Sequence, residues 1–285
     1  MQPKSNIRGV GSLSFILSMI MVFVFPGCQK VINVDLAEAP PILVIQGLIT
    51  DSIGPYKISL SKSGSYFNQP VLPPVSHAVV VISDNNGIVD TLKEKVPGLY
   101  YTSKIRGIPG RTYSLMVLSE NKTYTATSTM NSHVDIDTLK LEKNQSQGLG
   151  FGGRDGKESR VDIHCIFKDP QEKNFYRIKI TTNDTIDMAN FRLYDDQYTN
   201  GEETDLQLGR MRIGDVSYVE LISLDNNTYE YYRTLRDILR SNPIFGSTPA
   251  NPNTNLTNGA LGYFGACAIS SKAIYVTESL FNAAK

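Results

Sequence analysis

The chain has 285 residues, with 28 basic and 28 acidic side chains, so its formal net charge at pH 7 is zero. A balanced charge without a basic stripe argues against a nucleic-acid-binding protein, because such proteins need cationic side chains against the phosphates. Hydrophobic residues make up 41% of the chain, including 15 tyrosines and 11 phenylalanines. This composition is compatible with a well-packed, β-rich globular body.

The first 27 residues have the order of parts of a bacterial signal peptide. Lys4 and Arg8 precede an uncharged apolar run at 13–25, which at about 20 Å is too short for the roughly 30 Å hydrocarbon core of a membrane. Gly27 directly precedes Cys28, as in the lipobox of lipoproteins. We predict cleavage before Cys28 and lipidation of its thiol, with a plain secretory peptide as the alternative.

Lipid on Cys28 predicts a permanent membrane anchor, because two or three acyl chains contribute about 0.8 kcal/mol for each buried methylene. Gln29 and Lys30 follow the cysteine and no aspartate stands directly after it, which favours the outer membrane over the inner one. The periplasmic and the cell-surface faces both stay open. Residues 28–39 are predicted to form a lipidated tether.

Residues 40–143 are predicted to form an antiparallel β-sandwich domain, immunoglobulin-like or transthyretin-like. Short apolar or alternating runs recur roughly every 8 to 12 residues between turn residues, which is typical of a sandwich. Asn86-Gly87 supplies a positive φ for a hairpin turn. The predicted strands lie at 42–50, 56–61, 79–83, 88–93, 112–118 and 124–129.

Two segments of this half are unusual for connectors. The loop at 63–76 carries Tyr66 and Phe67 and is longer and more aromatic than a turn requires. It is a candidate binding loop, although two rings that cap the end of the sandwich would explain it as well. Residues 144–159 contain five glycines and are predicted to be a linker between domains, or a long hairpin loop within one continuous fold.

Residues 160–285 are predicted to form a second antiparallel β domain with one helix at about 227–240. Asp225-Asn226 can cap the helix, and Asn242-Pro243 ends it. The predicted apolar face of the helix consists of Tyr231, Leu235, Ile238 and Leu239. The predicted strands lie at 160–167, 175–182, 217–223, 259–266 and 273–277. The glycines of 259–266 indicate close approach by another element.

Cys165 and Cys267 are the cysteines that remain after Cys28. In an oxidising envelope compartment they can form one disulfide, or both can be buried free thiols. The sequence favours neither alternative. A metal site built on them is not expected, because neither lies in a CxxC pair.

The residues do not predict a catalytic site, and we expect the protein not to be an enzyme. The three histidines, His77, His133 and His164, are far apart, and no GxSxG, HExxH or phosphate-binding glycine loop is present. Asp162 and His164 share one strand face and offer two metal ligands, but two ligands do not close a site. Acidic clusters at 184–187, 195–196 and 202–205 lack EF-hand spacing, so solvated loops without metal or cofactor are predicted.

The segment 251–258 is rich in asparagine and threonine. Its candidate binding residues are Asn251, Asn253, Asn255 and Asn258, whose amides can hydrogen-bond a sugar or a peptide backbone. The favoured interpretation is structural, because Asn and Thr side chains commonly tie down their own loop and need no partner to do so.

Gly27-Cys28 and five further segments together resemble one known family. These segments are 31–35, 64–68, 109–113, 167–170 and 251–265, and they are similar to the Bacteroidota lipoproteins grouped as domain of unknown function 4249. The resemblance covers nearly all of the chain after Cys28. It implies a location and partners rather than a mechanism, since similar lipoproteins are accessory to TonB-dependent outer-membrane transporters. Relatives often carry another residue at the position of Cys267, so a bond from it to Cys165 would be a local feature.

The expected function is therefore that of an outer-membrane lipoprotein, a non-enzymatic binding or accessory component of a TonB-dependent transport system. The expected partners are the membrane, through the N-terminal lipid, and a TonB-dependent transporter. The first alternative is a structural or adhesive cell-surface lipoprotein. An envelope hydrolase is the second alternative, and it would require a histidine, a nucleophile and a carboxylate to meet in one cleft.

Overall fold

A computed structural model describes residues 40–64, 72–143, 160–183, 185–186, 192–240 and 251–284. These residues are mainly β, as predicted, and they form sixteen strands and two helices. The predictions about the signal peptide, Cys28, the tether at 28–39 and the loop residues Tyr66 and Phe67 fall outside the described residues.

The strands of the first half confirm the predicted ones to within about two residues, apart from 88–93, which divides into two strands. β6 and β9 were not predicted. The bounds are β1 (Leu43–Thr50), β2 (Lys57–Lys62), β3 (Val79–Asp84), β4 (Val89–Thr91), β5 (Lys93–Val96), β6 (Leu99–Tyr101), β7 (Thr112–Ser119), β8 (Lys122–Thr129) and β9 (Thr138–Lys143).

In the second half, the predicted strands at 160–167, 175–182 and 217–223 are confirmed. The bounds are β10 (Arg160–Lys168), β11 (Phe175–Thr182), β12 (Thr185–Ile186), β13 (Arg192–Asp195), β14 (Glu203–Arg212), β15 (Val216–Leu224), α1 (Asn226–Arg240), β16 (Leu261–Tyr275) and α2 (Glu278–Ala283). The acidic residues at 202–205, predicted to lie in a solvated loop, mostly belong to β14. The helix α2 was not predicted, because six residues are too few to show a helical period.

The central feature of the fold is one long sheet with the strand order β12-β11-β15-β16-β1-β2-β6-β5, in which β13 also pairs with β11. The strand β16 holds this sheet together. Its first part pairs in parallel with β1, from Val44 opposite Leu261 to Thr50 opposite Cys267. Its last part pairs antiparallel with β15. The two strands predicted at 259–266 and 273–277 are therefore one strand of 15 residues.

This sheet corrects the predicted domain division at 144–159. Strands from both sides of that segment belong to the same sheet, and Pro40–Lys285 is one compact unit. The segment connects β9 to β10, which pair antiparallel with Val161 opposite Lys143. Residues 144–159 themselves lie outside the described residues, and the pairing of β9 with β10 agrees with the alternative of one continuous fold.

Two smaller sheets pack side by side on one face of the long sheet, which gives the β sandwich that the sequence predicts. The sheet β4-β3-β7-β8 encloses one apolar core with β1, β2 and the first part of β16. The sheet β14-β10-β9 encloses a second core with β11 and β15. Alternation along each strand explains this, because every second side chain faces the opposing sheet.

The helix α1 covers the other face of the long sheet. Its N-cap is Asp225, whose Oδ1 accepts a hydrogen bond from the backbone N–H of Thr228 at 2.8 Å, as predicted. Its buried residues are Thr228, Tyr229, Tyr231 and Tyr232. Only part of the predicted apolar face is confirmed, because Leu239 is 63% exposed. The helix contacts β16, β11 and β13 of the sheet.

Candidate functional site

Cys165 and Cys267 are both buried free thiols, which is one of the two alternatives that the sequence left open. Cys165 lies in the core between β10 and β11, whereas Cys267 lies under α1. The disulfide alternative is not formed, since the two thiols lie on opposite sides of the long sheet. Burial raises the pKa of the Cys165 thiol to about 12, so the thiol stays protonated and unreactive at neutral pH.

The asparagine segment is used internally, in agreement with the favoured structural interpretation. The Nδ2 of Asn255 donates to the carbonyl oxygen of Phe264 at 2.7 Å, and its Oδ1 accepts from the backbone N–H of Phe264 at 3.1 Å. The Nδ2 of Asn258 donates to the carbonyl oxygen of Thr123 at 2.5 Å. These amides close the gap between β8 and β16, so Asn255 and Asn258 are not offered to a ligand. Asn251 and Asn253 are exposed.

The three histidines stand in three different settings. His77 has a left-handed backbone with φ 61°, and its N–H donates to Glu94. The Nδ1 of His133 lies 2.6 Å from Asp51 and its Nε2 lies 3.3 Å from Asp135. The hydrogen bond with Asp51 raises the pKa of the His133 imidazole above its ordinary value. Carboxylates therefore hold His133 in place, and its hydrogen bonds do not lead to a nucleophile.

His164 lies between two carboxylates on the outer face of the three-stranded sheet. Its Nδ1 is 2.6 Å from Asp205, and its Nε2 is 3.7 Å from Glu142. Ligand atoms of these three residues lie within 4.8 Å of one another, but Lys140 already contacts Glu142 at 2.5 Å. The arrangement is a hydrogen-bond and ion-pair network in which Lys140 supplies a positive charge.

The metal-ligand pair considered from the sequence, Asp162 and His164, is not brought together. Asp162 lies 3.4 Å from the Nε of Arg210 instead. The sequence missed Asp205 as a neighbour of His164, because that residue was assigned to a loop. Only the pairing of β10 with β14 brings the two side chains onto one face.

A cleft of about 340 Å³ lies where β11, β13 and β14 meet the end of α1. Its volume falls in the range of about 300 to 1,000 Å³ typical of small-molecule sites. The lining residues are three arginines, one glutamine, one tyrosine and four aliphatic side chains. They are Arg192, Arg236, Arg240, Gln207, Tyr194, Ile178, Leu193, Leu206 and Leu208.

The elements around the cleft position its arginines from two sides. Arg236 and Arg240 are four residues apart on α1 and therefore share one helix face. Arg192 pairs with Ile178 across β13 and β11, and directly paired residues point to the same face of a sheet. A Cβ at Gly209 would lie 3.6 Å from the guanidinium of Arg192, which places that guanidinium beside β14. The three guanidinium groups thus border the same space.

The wall formed by β14 contains a β-bulge. Ile163 pairs with Gly209 and His164 pairs with Gln207, so Leu208 has no partner on β10. A bulge turns successive side chains toward the same side and is common beside functional sites. Gln207 and Leu208 both line the cleft as a result.

The electrostatic balance of the cleft is uneven among the described residues, since none of those that line it is acidic. The Nε of Arg236 is buried and has no hydrogen-bond partner in the part of the chain that the structure describes. The nearest acidic contact of that atom is Asp237, at 3.6 Å. A buried donor without an acceptor costs about 1 to 3 kcal/mol, so this feature is unfavourable for the protein as it stands.

A rigid tyrosine cluster anchors α1 next to the cleft. The hydroxyl groups of Tyr232 and Tyr263 are 2.7 Å apart, and the guanidinium of Arg177 lies 4.4 Å from the centre of the Tyr232 ring. Burial raises the pKa of both tyrosines, so they remain neutral. The cluster fixes the first half of the helix and thereby the position of its second half.

Sequence reasoning did not find this cleft. The only local signal is the i, i+4 spacing of Arg236 and Arg240, which is common on solvated helix faces. Arg192 and Gln207 come from strands that were not predicted. The cleft is assembled by the register of β13 and β14 and by the packing of α1.

The fold and the cleft together define a β-sandwich protein with one covering helix and a ligand-sized, arginine-lined cleft. A family model described as "Domain of unknown function (DUF4249)" matches residues 29–273. The chain belongs to this family, as the sequence resemblance indicated. A comparison with curated proteins gives no match. Among the described residues, no helix is long and apolar enough to cross a membrane.

Proposed function

We propose that this protein is an outer-membrane lipoprotein of Bacteroidota, anchored by lipid on Cys28, that serves as a non-enzymatic binding or accessory component of a TonB-dependent transport system. The cleft beside α1 is its binding site. The lipobox-like N-terminus supports the membrane location, and the cleft supports the binding function.

The lining of the cleft is the observation that carries the binding function. Catalytic sites need a nucleophile, or an acid or base of suitable pKa, within reach of the substrate. Here, the nine lining residues are arginine, glutamine, tyrosine and aliphatic side chains. Such a set can orient and retain a ligand through charge and apolar contact, without a residue suited to make or break its bonds.

The distance between anchor and body suits an accessory component of a membrane transporter. The compact unit begins at Pro40, twelve residues after Cys28. A fully extended segment of that length spans about 40 Å, at roughly 3.3 Å per residue. A tether of at most that length would limit how far the body can move from the membrane in which a transporter lies.

Co-purification is the direct test of the partner. We expect the tagged protein, extracted from native membranes in mild detergent after chemical cross-linking, to carry a TonB-dependent transporter identified by mass spectrometry. An unrelated outer-membrane lipoprotein with the same tag is the control. Recovery of the protein alone under several detergents and cross-linkers would argue against an accessory role.

The anchor has its own test. The wild-type N-terminal peptide should carry diacylglycerol and an acyl chain on Cys28 by mass spectrometry, and Cys28→Ser should abolish this mass. The wild-type protein should sediment with outer-membrane markers. An unmodified Cys28 in the purified mature protein would overturn the lipoprotein assignment.

A structural or adhesive role is the second candidate, supported by an apolar row on the outer face of the sheet β4-β3-β7-β8. Val79, Met116 and Leu118 are 45%, 38% and 42% exposed, and Val79 pairs directly with Leu118. Contiguous exposed apolar groups often mark interaction surfaces. Protease treatment of intact cells separates the candidates in part, because an adhesin must be degraded from outside.

A further inference from the structure

We propose that the cleft beside α1 binds a small amphipathic organic anion. Its carboxylate or phosphate group lies among Arg192, Arg236 and Arg240, and its apolar part lies against Leu193, Leu206 and Leu208. This inference rests on the proposed binding function, and it specifies the chemical class of the ligand.

The positive charge of the cleft calls for an anion. Arg236 on α1 and Arg192 on β13 line the cleft from two sides, and none of the described lining residues is acidic. Asp237, which lies 3.6 Å from the Nε of Arg236, is more than half exposed and also contacts Arg233 at 3.3 Å. Water and Arg233 therefore weaken its effect on Arg236. A carboxylate or phosphate matches the planar fork of arginine donors and can bond two of them at once.

The buried Nε of Arg236 supports the same conclusion independently of the net charge. Almost all buried donors in folded proteins have a partner, and this one lacks a hydrogen bond within the described residues. Arg236 lines the cleft, so an anionic oxygen bound there would supply the missing acceptor.

The remaining walls show that the anion carries an apolar part. Ile178, Leu193, Leu206 and Leu208 all line the same space. An inorganic anion would leave most of about 340 Å³ unfilled and would leave Leu193 and Leu206, which are only partly buried, in contact with water. Burial of an alkyl or aromatic group against them adds the hydrophobic contribution that a bare anion lacks.

The test is a titration with four matched probes. Chain 29–285 contains the whole compact unit, which begins at Pro40, and it needs no detergent that would compete for the cleft. Octanoate, octyl phosphate, octanol and inorganic phosphate are titrated into it calorimetrically. We expect octanoate or octyl phosphate to bind with a dissociation constant at least about tenfold below those of octanol and inorganic phosphate.

Each result decides the inference. Preference between octanoate and octyl phosphate identifies the head group. Equal binding of octanol shows that charge is not recognised, equal binding of inorganic phosphate shows that the apolar wall is not used, and no binding removes the ligand class. Each of these three results overturns the inference. The co-purification test of the proposed function is separate, so a transporter recovered alongside a failed titration would leave the accessory role standing.

Variants locate the binding. Arg192→Gln and Arg236→Gln should each weaken binding of the anionic probe about tenfold with little effect on octanol. Arg210→Gln is the control, since Arg210 belongs to the same strand as Leu208 but pairs with Asp162 outside the cleft. Equal weakening by all three variants would contradict the assignment. If a variant does not fold, the wild type still decides, because added salt must weaken octanoate binding and leave octanol binding unchanged.

Discussion

At the scale of single residues, Gly262 shows how one missing side chain permits the whole sheet. Its φ is +96°, and a Cβ at this position would lie 2.0 Å from the carbonyl oxygen of Ile45. The close approach of β16 to β1 therefore depends on glycine, for both conformational and steric reasons. The sequence predicted close approach by another element here but not that the element is β1.

Gly262→Ala should destabilise the protein by about 3 kcal/mol or more, because the Cβ meets backbone that cannot move without breaking the parallel pairing. Urea denaturation of chain 29–285 measures the change. Gly259→Ala is the matched control: φ is +74° there too, but a Cβ would meet nothing within 4 Å. It should cost only about 1 kcal/mol. Similar values for the two variants would contradict the steric argument.

His133 gives the protein a pH-dependent contact. The raised pKa, caused first by the hydrogen bond with Asp51, means that the folded state binds the proton more tightly than the unfolded state. The contribution to stability is therefore fully present below about pH 6.5, the ordinary value for histidine, and is lost as pH rises through the folded pKa.

His133→Gln should flatten the dependence of stability on pH above about pH 6. Chemical denaturation of the wild type and the variant at several pH values between about 5 and 9 checks this. The wild type should lose stability relative to the variant as pH rises. Parallel curves for the two proteins would show that the contact with Asp51 does not depend on protonation.

At the scale of elements, the segment 251–260 joins β8 to β16 through side chains in place of strand pairing. Asn255 both donates to and accepts from the backbone of Phe264, and its Nδ2 also reaches the carbonyl oxygen of Thr127 at 3.2 Å. Thr257 adds a hydrogen bond with the backbone of Thr125 at 2.8 Å. The composition of this segment is explained by these contacts.

Asn255→Ala should lower the free energy of unfolding by about 2 kcal/mol, since backbone groups of Phe264 lose their partners. Asn253→Ala should change it by less than about 0.5 kcal/mol, because Asn253 is exposed and only its backbone N–H bonds to Thr234. Thermal or urea unfolding of both variants gives the comparison. A larger loss in the Asn253 variant would instead indicate that the exposed asparagines carry the structural role.

At the scale of the whole molecule, β16 joins the two halves of the β sandwich into one compact unit. It lies between β1 and β15 in the long sheet. Phe264, Ala266 and Ala268 of β16 belong to the first core, and Val276, directly after β16, belongs to the second core. The cleft depends on the same arrangement, because α1 packs on this sheet, β11 and β13 belong to it, and β14 belongs to the smaller sheet that packs against it.

Fragments 40–143 and 160–285 should not fold separately, because each would leave an edge of the long sheet unpaired and part of an apolar core open. We expect neither fragment to give a cooperative unfolding transition by circular dichroism, whereas the two co-expressed should associate and show one. Chain 29–285 is the reference. Independent cooperative unfolding of fragment 40–143 would restore the domain division that the sequence suggested.

The sequence by itself determined the β class, most of the strands and the helix with its Asp225 cap, because alternation, turn residues and caps act between near neighbours in the chain. It also carried the family resemblance that the match over 29–273 confirms. It missed β13 and β14, since short or charged strands lack a clear apolar alternation.

Only the tertiary structure decided the rest. Whether 144–159 divides domains, whether Cys165 meets Cys267 and which side chains border a cleft all depend on pairings between residues far apart in the chain. Arg192 and Arg236 approach one cleft because β13 joins β11 and α1 crosses the same sheet. Periodicity identifies an element and its buried face, but it does not specify the neighbour against which that face will pack.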